Sequence, residues 1–322
     1  MWHRVSVLAV SLTLDLLIGP GTAEAQTASR VWRIGYLVPT ELPTSTLIDP
    51  LSELGYIDGK SARFEIRTAQ NNLERLPALA AELVRTPVDI IVAAGPAAIL
   101  AARQATSTIP IVMAFWGGEG LLESGLVASF ARPGGNVTGV YMLASELDAK
   151  RCEFLLQAVP QARTVGVLNP GSGWNAKHLQ RFAERHKIAL QVSSVPGHEG
   201  YDATLAALRH AGVDAIFVPS SVRFFREQHL IIEAAAKHRI PAMYEWGDMA
   251  RAGGFMGYGP VRADIHQRVA EFVHKILQGA QPANMAVEQP TRFEFVVNLR
   301  AAHTLGLTPQ PALLLQANEV VR

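Results

Sequence analysis

Three tryptophans with polar or flexible neighbours are the residues best suited to binding a small molecule. They are Trp116, Trp174 and Trp246, and each lies close in sequence to a glycine, a serine or a glutamate. Large aromatic rings beside small hydrogen-bonding groups form pockets for ligands that are partly apolar and partly polar. The chemistry that this pattern supports is non-covalent recognition. The alternative for each ring is that it covers the core beneath it, since tryptophan is mostly buried wherever it occurs.

Polar side chains near the tryptophans could hold the charged groups of such a ligand. Glu245 could accept an ammonium group, and Ser172, Ser220 or Ser221 could donate to a carboxylate. The alternatives are a surface salt bridge for Glu245 and a helix cap for each serine. A proline can also start a helix, whose free N–H groups and positive dipole suit a carboxylate. Further candidates at comparable positions are Thr40, Gly95, Pro96, Asn169, Tyr244 and Tyr258.

Signatures of covalent catalysis are absent from the sequence. It contains no GxxxxGK[ST], HExxH or GxSxG motif, and Gly117-Gly118-Glu119-Gly120 does not complete a dinucleotide-binding GxGxxG. The ten histidines, His266 among them, show no metal-ligand spacing and are interpreted as solvated surface residues. Cys152 is the only cysteine and is interpreted as a packed helix residue. We therefore expect no catalytic residue, no bound metal and no cofactor.

Composition indicates a folded protein without a nucleic-acid partner. Of the 322 residues, 49% are hydrophobic and 18% are charged, which is enough apolar material for large cores. The formal net charge is +1 and the basic residues are scattered, so nothing favours nucleic-acid binding. Because one hydrophobic core usually stops growing at roughly 250 to 300 residues, this length favours two lobes.

Short apolar runs alternate with helix-period segments from Arg33 onward. This alternation predicts an α/β fold with two Rossmann-like lobes built on parallel sheets. Ligands bind outside the carboxyl ends of the strands in such sheets, and the candidate residues lie at or near the ends of predicted strands. The predicted strands are residues 33–38, 62–68, 89–94, 110–115, 137–142, 164–168, 189–194, 215–218, 241–244, 254–258 and 293–299. The predicted helices are residues 73–85, 146–158, 178–186, 201–210, 227–238 and 264–277.

Two series of strands define the predicted lobes. Lobe 1 comprises residues 31–138 and about 251–284, and lobe 2 comprises residues 141–248 and about 285–322. The run Pro133-Gly134-Gly135-Asn136 punctuates the chain just before the joint. Since the C-terminal part returns across this joint, we expect a multi-strand hinge that permits nearly rigid closure about a ligand.

The first 25 residues are typical of a signal peptide. His3 and Arg4 form a basic head, residues 5–18 are mostly apolar, and Ala23-Glu24-Ala25 has the A-x-A pattern of a cleavage site. Asp15 interrupts the apolar stretch, and the segment is too short for a lasting transmembrane helix. We expect export to the periplasm, with cleavage after Ala25.

Seven segments match a known pattern, namely residues 33–37, 54–56 with 59–60, 76–84, 105–112, 125–139, 258–260 and 287–294. The most specific are the glycine-rich run around Gly134 and the run Glu288-Gln289-Pro290-Thr291. Together these segments resemble the ABC transporter substrate-binding protein family, which includes tryptophan and tyrosine importer components. The resemblance implies a type I periplasmic-binding-protein fold and a small-molecule ligand, with an amino acid or related carboxylate as the best-supported class. It also implies a membrane permease with its ATPase as the partner.

The sequence departs from the family pattern at three places, all near the expected pocket. The segment between Leu37 and Leu54 is shorter, which trims the first cleft loop and raises the question of whether the cleft still closes. The family's Asp-Pro-Val is replaced within residues 117–124, so an acidic contact is lost or moved to Glu119. The family's Ser-Tyr-Gly becomes Gly257-Tyr258-Gly259, which removes a hydroxyl.

Two other functions stay open at this point. A sensor module could pass its closed form to a membrane kinase instead of a permease. An exported α/β enzyme could use Glu245 or Asp264 as a general base, although no nucleophile or base-orienting residue accompanies them. A DNA-binding regulator of the same fold would need an N-terminal helix-turn-helix, where the export signal stands. We expect a monomer that binds its ligand without converting it.

Overall fold

The computed structural model describes residues 30–41, 43–117, 120–142, 144–169, 171 and 176–322, without the side chains of residues 144–146 and 178. The predicted signal peptide at residues 1–25, the candidates Ser172 and Trp174, and Glu119 lie outside the described residues. Among the helices that are described, none has the length and apolar character needed to cross a membrane.

Lobe 1 is built around a sheet of five parallel strands. Continuous apolar runs form its central strands, because a parallel sheet is buried on both faces. Helices cover both faces, and they include α1 (Ser45–Glu53), α2 (Leu76–Arg85) and α3 (Pro96–Ala105). Along the chain the strands are β1 (Trp32–Val38), β2 (Ala62–Thr68), β3 (Ile90–Ala94), β4 (Ile111–Trp116) and β5 (Val137–Tyr141). Their order in the sheet is β2-β1-β3-β4-β5.

Lobe 2 is built around a sheet of seven strands. Its strands are β6 (Thr164–Asn169), β7 (Ala189–Ser194), β8 (Ala215–Phe217), β9 (Ala242–Tyr244), β10 (Met256–Pro260), β11 (Phe293–Asn298) and β12 (Glu319–Val321). They lie in the order β12-β11-β10-β9-β8-β6-β7, and only β10 and β11 pair antiparallel. The remaining helices of the chain are α4 (Ala144–Ala158), α5 (Lys177–His186), α6 (Gly200–His210), α7 (Val222–Arg226), α8 (Gln228–Lys237), α9 (Gly247–Arg251), α10 (Arg262–Leu277), α11 (Leu299–Thr304) and α12 (Pro311–Leu314).

The predicted α/β class with two parallel-dominated sheets is confirmed. Each predicted strand is present with its ends displaced by at most about two residues, which is the usual uncertainty of boundaries. The predicted helix at residues 73–85 begins as a 3-10 turn, Leu73–Arg75, before α2. Sequence periodicity missed α1, α7, α9, α11, α12 and β12, because α1 contains Pro50 and the others are only three to six residues long.

Three chain segments cross between the lobes, between β5 and α4, between β10 and α10, and between Glu288 and β11. The first and third run side by side, since Tyr141 N–H donates to Glu288 O and Glu288 N–H donates to Gly139 O, both at 2.9 Å. The second joins them through Val261 N–H and Arg292 O at 3.1 Å. These hydrogen bonds make one three-segment hinge.

The lobe boundaries differ from the prediction in the C-terminal part. The predicted lobe 1 segment, about 251–284, is divided, because β10 pairs with β9 and β11 in the sheet of lobe 2 whereas α10 packs on β4 and β5. Residues 285–288, predicted in lobe 2, bind lobe 1 instead. Oγ1 of Thr138 donates to Met285 O at 2.8 Å, and Val287 N–H donates to Phe130 O at 2.7 Å.

Candidate functional site

The carboxyl ends of the two sheets face each other across an inter-lobe cleft. Nη1 of Arg226 in lobe 2 donates a hydrogen bond to Oγ1 of Thr40 in lobe 1, at 2.8 Å. The rings of Phe115 in lobe 1 and Trp246 in lobe 2 meet edge to face, with centroids 6.2 Å apart. One buried apolar cluster extends through both lobes. The cleft is therefore narrow, and side chains from its two walls are in contact.

Gly95 and Pro96 form the start of α3 at the lobe 1 side of the cleft. Gly95 caps the helix with a φ of +80°, a backbone conformation that favours glycine, and Pro96 is the first helical residue. A Cβ at position 95 would lie 3.3 Å from the side chain of Val222 in lobe 2. Glycine at this position thus allows the free N–H groups of the first turn of α3 to approach lobe 2.

Glu245 is a buried carboxyl group directly after β9, with 3% of its surface exposed. Burial raises the pKa of this carboxyl, and the charge of Arg151 is the strongest influence that opposes the rise. Ser220, the backbone of Ser221 and the side chain of Trp246 lie near the carboxyl group and lower its pKa further. The Oε1 atom has no hydrogen-bond partner among the described residues. Because an unpaired buried oxygen is costly, a ligand that donates to Oε1 would be favoured.

Arg151 on α4 is fully buried and supports the backbone on which Glu245 stands. Its Nε donates to the carbonyl oxygen of Tyr258 at 2.7 Å, and its Nη2 lies 3.5 Å from the carbonyl oxygen of Glu245. Nη1 donates to Oδ1 of Asp148 at 2.8 Å, and that carboxylate is also buried. Sequence reasoning missed this role for Arg151. The available signal was an i,i+3 charged pair just before the apolar run at residues 154–156.

A bulge in β4 decides which aromatic residue enters the cleft. Phe115 has a φ of +62°, which is rare for a large side chain, and the register with β5 shifts between Met113 and Trp116. Phe115 therefore points to Trp246, whereas Trp116, only 3% exposed, packs in the core beneath α2 and α3. The prediction that Trp116 faces the cleft is corrected, because the bulge exchanges the faces of the two residues.

His266 on α10 lies behind Phe115 in the lobe 1 wall. The two rings meet edge to face at 5.0 Å, and Nε2 of His266 has no hydrogen-bond partner in the described part of the chain. Burial, followed by the charge of Arg262, lowers the pKa of this imidazole to about 4, while Asp248 acts in the opposite sense. The interpretation of His266 as a solvated surface residue is wrong. It is a neutral, buried histidine at pH 7.

We expect stability to fall as the pH falls from about 6.5 to about 4, with His266 as one cause. In this window the unfolded chain binds a proton that the folded protein excludes from His266. This group therefore lowers the free energy of unfolding by up to about 1.4 kcal/mol per pH unit. When urea unfolding is measured at several pH values, the free energy of unfolding of His266→Gln should change less steeply with pH than that of wild type. The exposed His210→Gln variant is the control, and equal slopes for all three proteins would contradict the assignment.

Of two predicted cleft residues, Tyr244 is buried in a core and Tyr258 is partly buried against one. Tyr244 is 1% exposed and lines a crevice of about 300 Å³ beside the turn that precedes β10. The ring of Tyr258 packs against Phe154 and Phe295, with centroids 5.1 and 6.3 Å away. Side chains alternate along a strand, so Tyr258 lies on the face of β10 that α4 covers. Both predictions are corrected.

The remaining polar candidates divide between local caps and the cleft. Oδ1 of Asn169 accepts the N–H of Gly171 at 3.0 Å and closes a local turn. Oγ of Ser221 accepts the N–H of Phe224 at 3.4 Å and caps α7, as the helix-cap alternative anticipates. Ser220, in contrast, lies beside the buried carboxyl group of Glu245.

Gly257 and Gly259 allow β10 to lie against the connection from β9 to α9. A Cβ at position 257 would overlap the carbonyl oxygen of Trp246, and a Cβ at position 259 would overlap that of Glu245. The two glycines therefore determine where Glu245 and Trp246, the cleft-lining segment, lie. In this chain the close approach leaves no room for a side chain at position 257.

Fold and site together define a class of protein. Two α/β lobes, joined by a three-segment hinge, enclose a cleft in which Phe115 meets Trp246, and Glu245 is buried next to Trp246. The described residues contain no cluster of His, Cys, Asp or Glu that could hold a metal ion. This is the architecture of type I periplasmic binding proteins. The chain belongs to the ABC transporter substrate binding protein family, whose family model matches residues 41–321. Members of this family are extracytoplasmic solute-binding proteins.

Known proteins share this fold over most of their length. The chain is 24% identical over 255 residues to a tyrosine-binding protein of Clostridioides difficile, covering 78% of this chain and 72% of the relative. A conserved domain protein from Vibrio cholerae has a TM-score of 0.81 and 24% identity, covering 90% of this chain and 100% of its own. An ABC domain from Streptococcus pneumoniae in complex with L-Trp has a TM-score of 0.78 and 24% identity, with the same coverage.

Proposed function

We propose that this protein is the solute-binding component of an ABC-type importer and that its ligand is an amino acid or a related small carboxylate. It captures the ligand between the lobes and presents the closed form to a membrane permease with its ATPase. The observation that carries the proposal is Oε1 of Glu245, a buried and unpaired oxygen beside an aromatic pair. The proposal includes a periplasmic location, a signal peptide at residues 1–25 and a monomeric state.

An amino acid supplies the groups that the cleft lacks. Its ammonium donates to Oε1 of Glu245 and favours the ionised carboxylate, which counters the rise in pKa caused by burial. An apolar or aromatic side chain packs against Phe115 and Trp246. The carboxylate suits the free N–H groups in the first turn of α3, next to Gly95 and Pro96.

Capture requires closure of the lobes and no chemical step. One lobe holds the ligand weakly, and closure adds the contacts of the other lobe and expels water. The contact between Phe115 and Trp246 forms only when the walls approach, so the aromatic pair belongs to the closed state. Closure also creates the surface that the permease recognises.

The relatives make aromatic amino acids the first compounds to test. One is a tyrosine-binding protein, and one solved structure holds L-Trp. A thermal-shift panel of the protein from Gln26 should include amino acids, other carboxylates, purines and sugars. Ligand at one hundred times its dissociation constant adds about 2.7 kcal/mol to stability, enough to shift the melting temperature by several degrees.

Glu245→Gln is expected to weaken binding of the best amino acid about tenfold, because it removes a charge-assisted hydrogen bond. Titration calorimetry measures the dissociation constant, and Glu199→Gln, at a highly exposed position, is the matched control. The control should bind like wild type. The proposal fails if amino acids give no shift while sugars do, or if Glu245→Gln and the control bind equally well.

Two further measurements test the transport role. Deleting the gene should abolish uptake of the identified ligand into cells, whereas a sensor module would leave uptake intact and abolish a response instead. N-terminal sequencing of the exported protein should give Gln26 as the first residue. An unprocessed N-terminus would overturn the periplasmic location.

A further inference from the structure

The two lobes are joined across the cleft by the hydrogen bond between Arg226 and Thr40. Arg226 is the last residue of α7 in lobe 2, and Thr40 follows β1 in lobe 1, where it is 1% exposed. The bond measures 2.8 Å and its donor is charged, which makes it stronger than a bond between neutral groups. Arg226 keeps about a third of its side chain exposed, at 34%.

A buried carboxylate on the lobe 2 side holds Arg226 in position. Glu227 is 3% exposed, and its Oε2 accepts hydrogen bonds from the hydroxyl of Tyr201 at 2.6 Å and from Nε of Arg223 at 3.0 Å. Its Oε1 lies 3.7 Å from Nη2 of Arg226. Arg223 is itself anchored, because its Nη1 donates to Val195 O at 3.2 Å.

This arrangement makes the bond to Thr40 easy to form and to break. When the lobes separate, Arg226 loses Thr40 but keeps Glu227, so opening leaves no unpaired buried charge. When the lobes close, the guanidinium is already oriented and little side-chain entropy is lost. The bond therefore stabilises the closed state without trapping it.

We infer that Arg226 and Thr40 form a latch that slows ligand release without touching the ligand, and that Glu227 is the positioning residue of this latch. The inference rests on the proposed function for its ligand, but the latch itself acts on the closing equilibrium of the ligand-free protein. Two variants isolate it, Arg226→Met and Thr40→Val. Arg185→Met, at an exposed position on α5, is the matched control.

The first experiment needs no ligand. Spin labels at Lys60→Cys in lobe 1 and Arg209→Cys in lobe 2 report the distance between the lobes, because both positions are exposed while the native Cys152 is buried. Each latch variant should lower the ratio of closed to open molecules about tenfold, and the double variant should lower it no further. Unchanged distances in both variants would overturn the latch, whatever the ligand panel shows.

The second experiment distinguishes a latch from a direct ligand contact. With labelled L-tryptophan, or the panel compound that binds best, each single variant should raise the dissociation rate about tenfold, and the effects should not add. A large effect of Arg226→Met with none of Thr40→Val would mean that Arg226 binds the ligand itself, which overturns the inference. Glu227→Gln should give a smaller increase in the same direction, and unchanged melting of the ligand-free variants checks that they are folded.

Discussion

Arg151→Met is expected to remove about 3 to 5 kcal/mol from the free energy of unfolding. The guanidinium is fully buried and bonded to the buried carboxylate of Asp148. Methionine leaves that carboxylate without its charged partner and leaves the carbonyl oxygen of Tyr258 without its 2.7 Å donor. Urea unfolding followed by circular dichroism measures the loss.

The neighbouring pair on the same helix provides the control. Lys150→Met removes an exposed ion pair with Glu153 and should cost at most about 1 kcal/mol. A double variant, Asp148→Leu with Arg151→Met, should regain part of the loss, since the buried charge is then gone. If Arg151→Met unfolds at the same urea concentration as Lys150→Met, the buried pair does not stabilise the fold.

Gly257→Ala is expected to cost about 3 kcal/mol and to weaken ligand binding as well. A methyl group at this position overlaps the carbonyl oxygen of Trp246, so β10 and the cleft-lining segment must move apart. Because the obstacle is backbone, a change of rotamer cannot relieve it. Chemical denaturation gives the loss of stability, and calorimetry with the identified ligand gives the loss of affinity.

Gly135→Ala is the matched control, because a Cβ there meets nothing within 4 Å. It should leave stability within about 0.5 kcal/mol of wild type, as surface substitutions usually do. Equal stability of the two alanine variants would mean that β10 can withdraw from Trp246 at little cost. The overlap with Trp246 would then not be what requires glycine at position 257.

The fold could be predicted because its strands are continuous apolar runs and its larger helices have a clear period. The run at residues 90–94 is buried at every position, as a central parallel strand must be. The placement of Glu245 beside the cleft followed from its position immediately after such a strand. The end of the chain was harder, because β10 and α10 are adjacent in sequence yet pack on different sheets.

The site was less predictable for reasons that lie in the backbone and in burial. Phe115 faces the cleft in place of Trp116 because Phe115 has a positive φ. The identity of a residue does not reveal such a backbone conformation when the residue is a phenylalanine. Arg151 lies in a helix rich in charged residues. The sequence alone therefore could not show that this one charged side chain is buried while its neighbours face solvent. Most histidines are exposed when no partner is evident, and His266 is buried only because α10 packs against β4.

The hinge limits the shapes that the protein can adopt. Its three segments are bonded edge to edge through Tyr141, Glu288, Val261 and Arg292, so they act as one narrow ribbon. A ribbon bends readily about one axis and resists torsion, which leaves the lobes a single soft degree of freedom. Under the proposed function, ligand occupancy is thereby converted into a two-state signal, and a partner that senses only the gap between the lobes can read it without contacting the ligand.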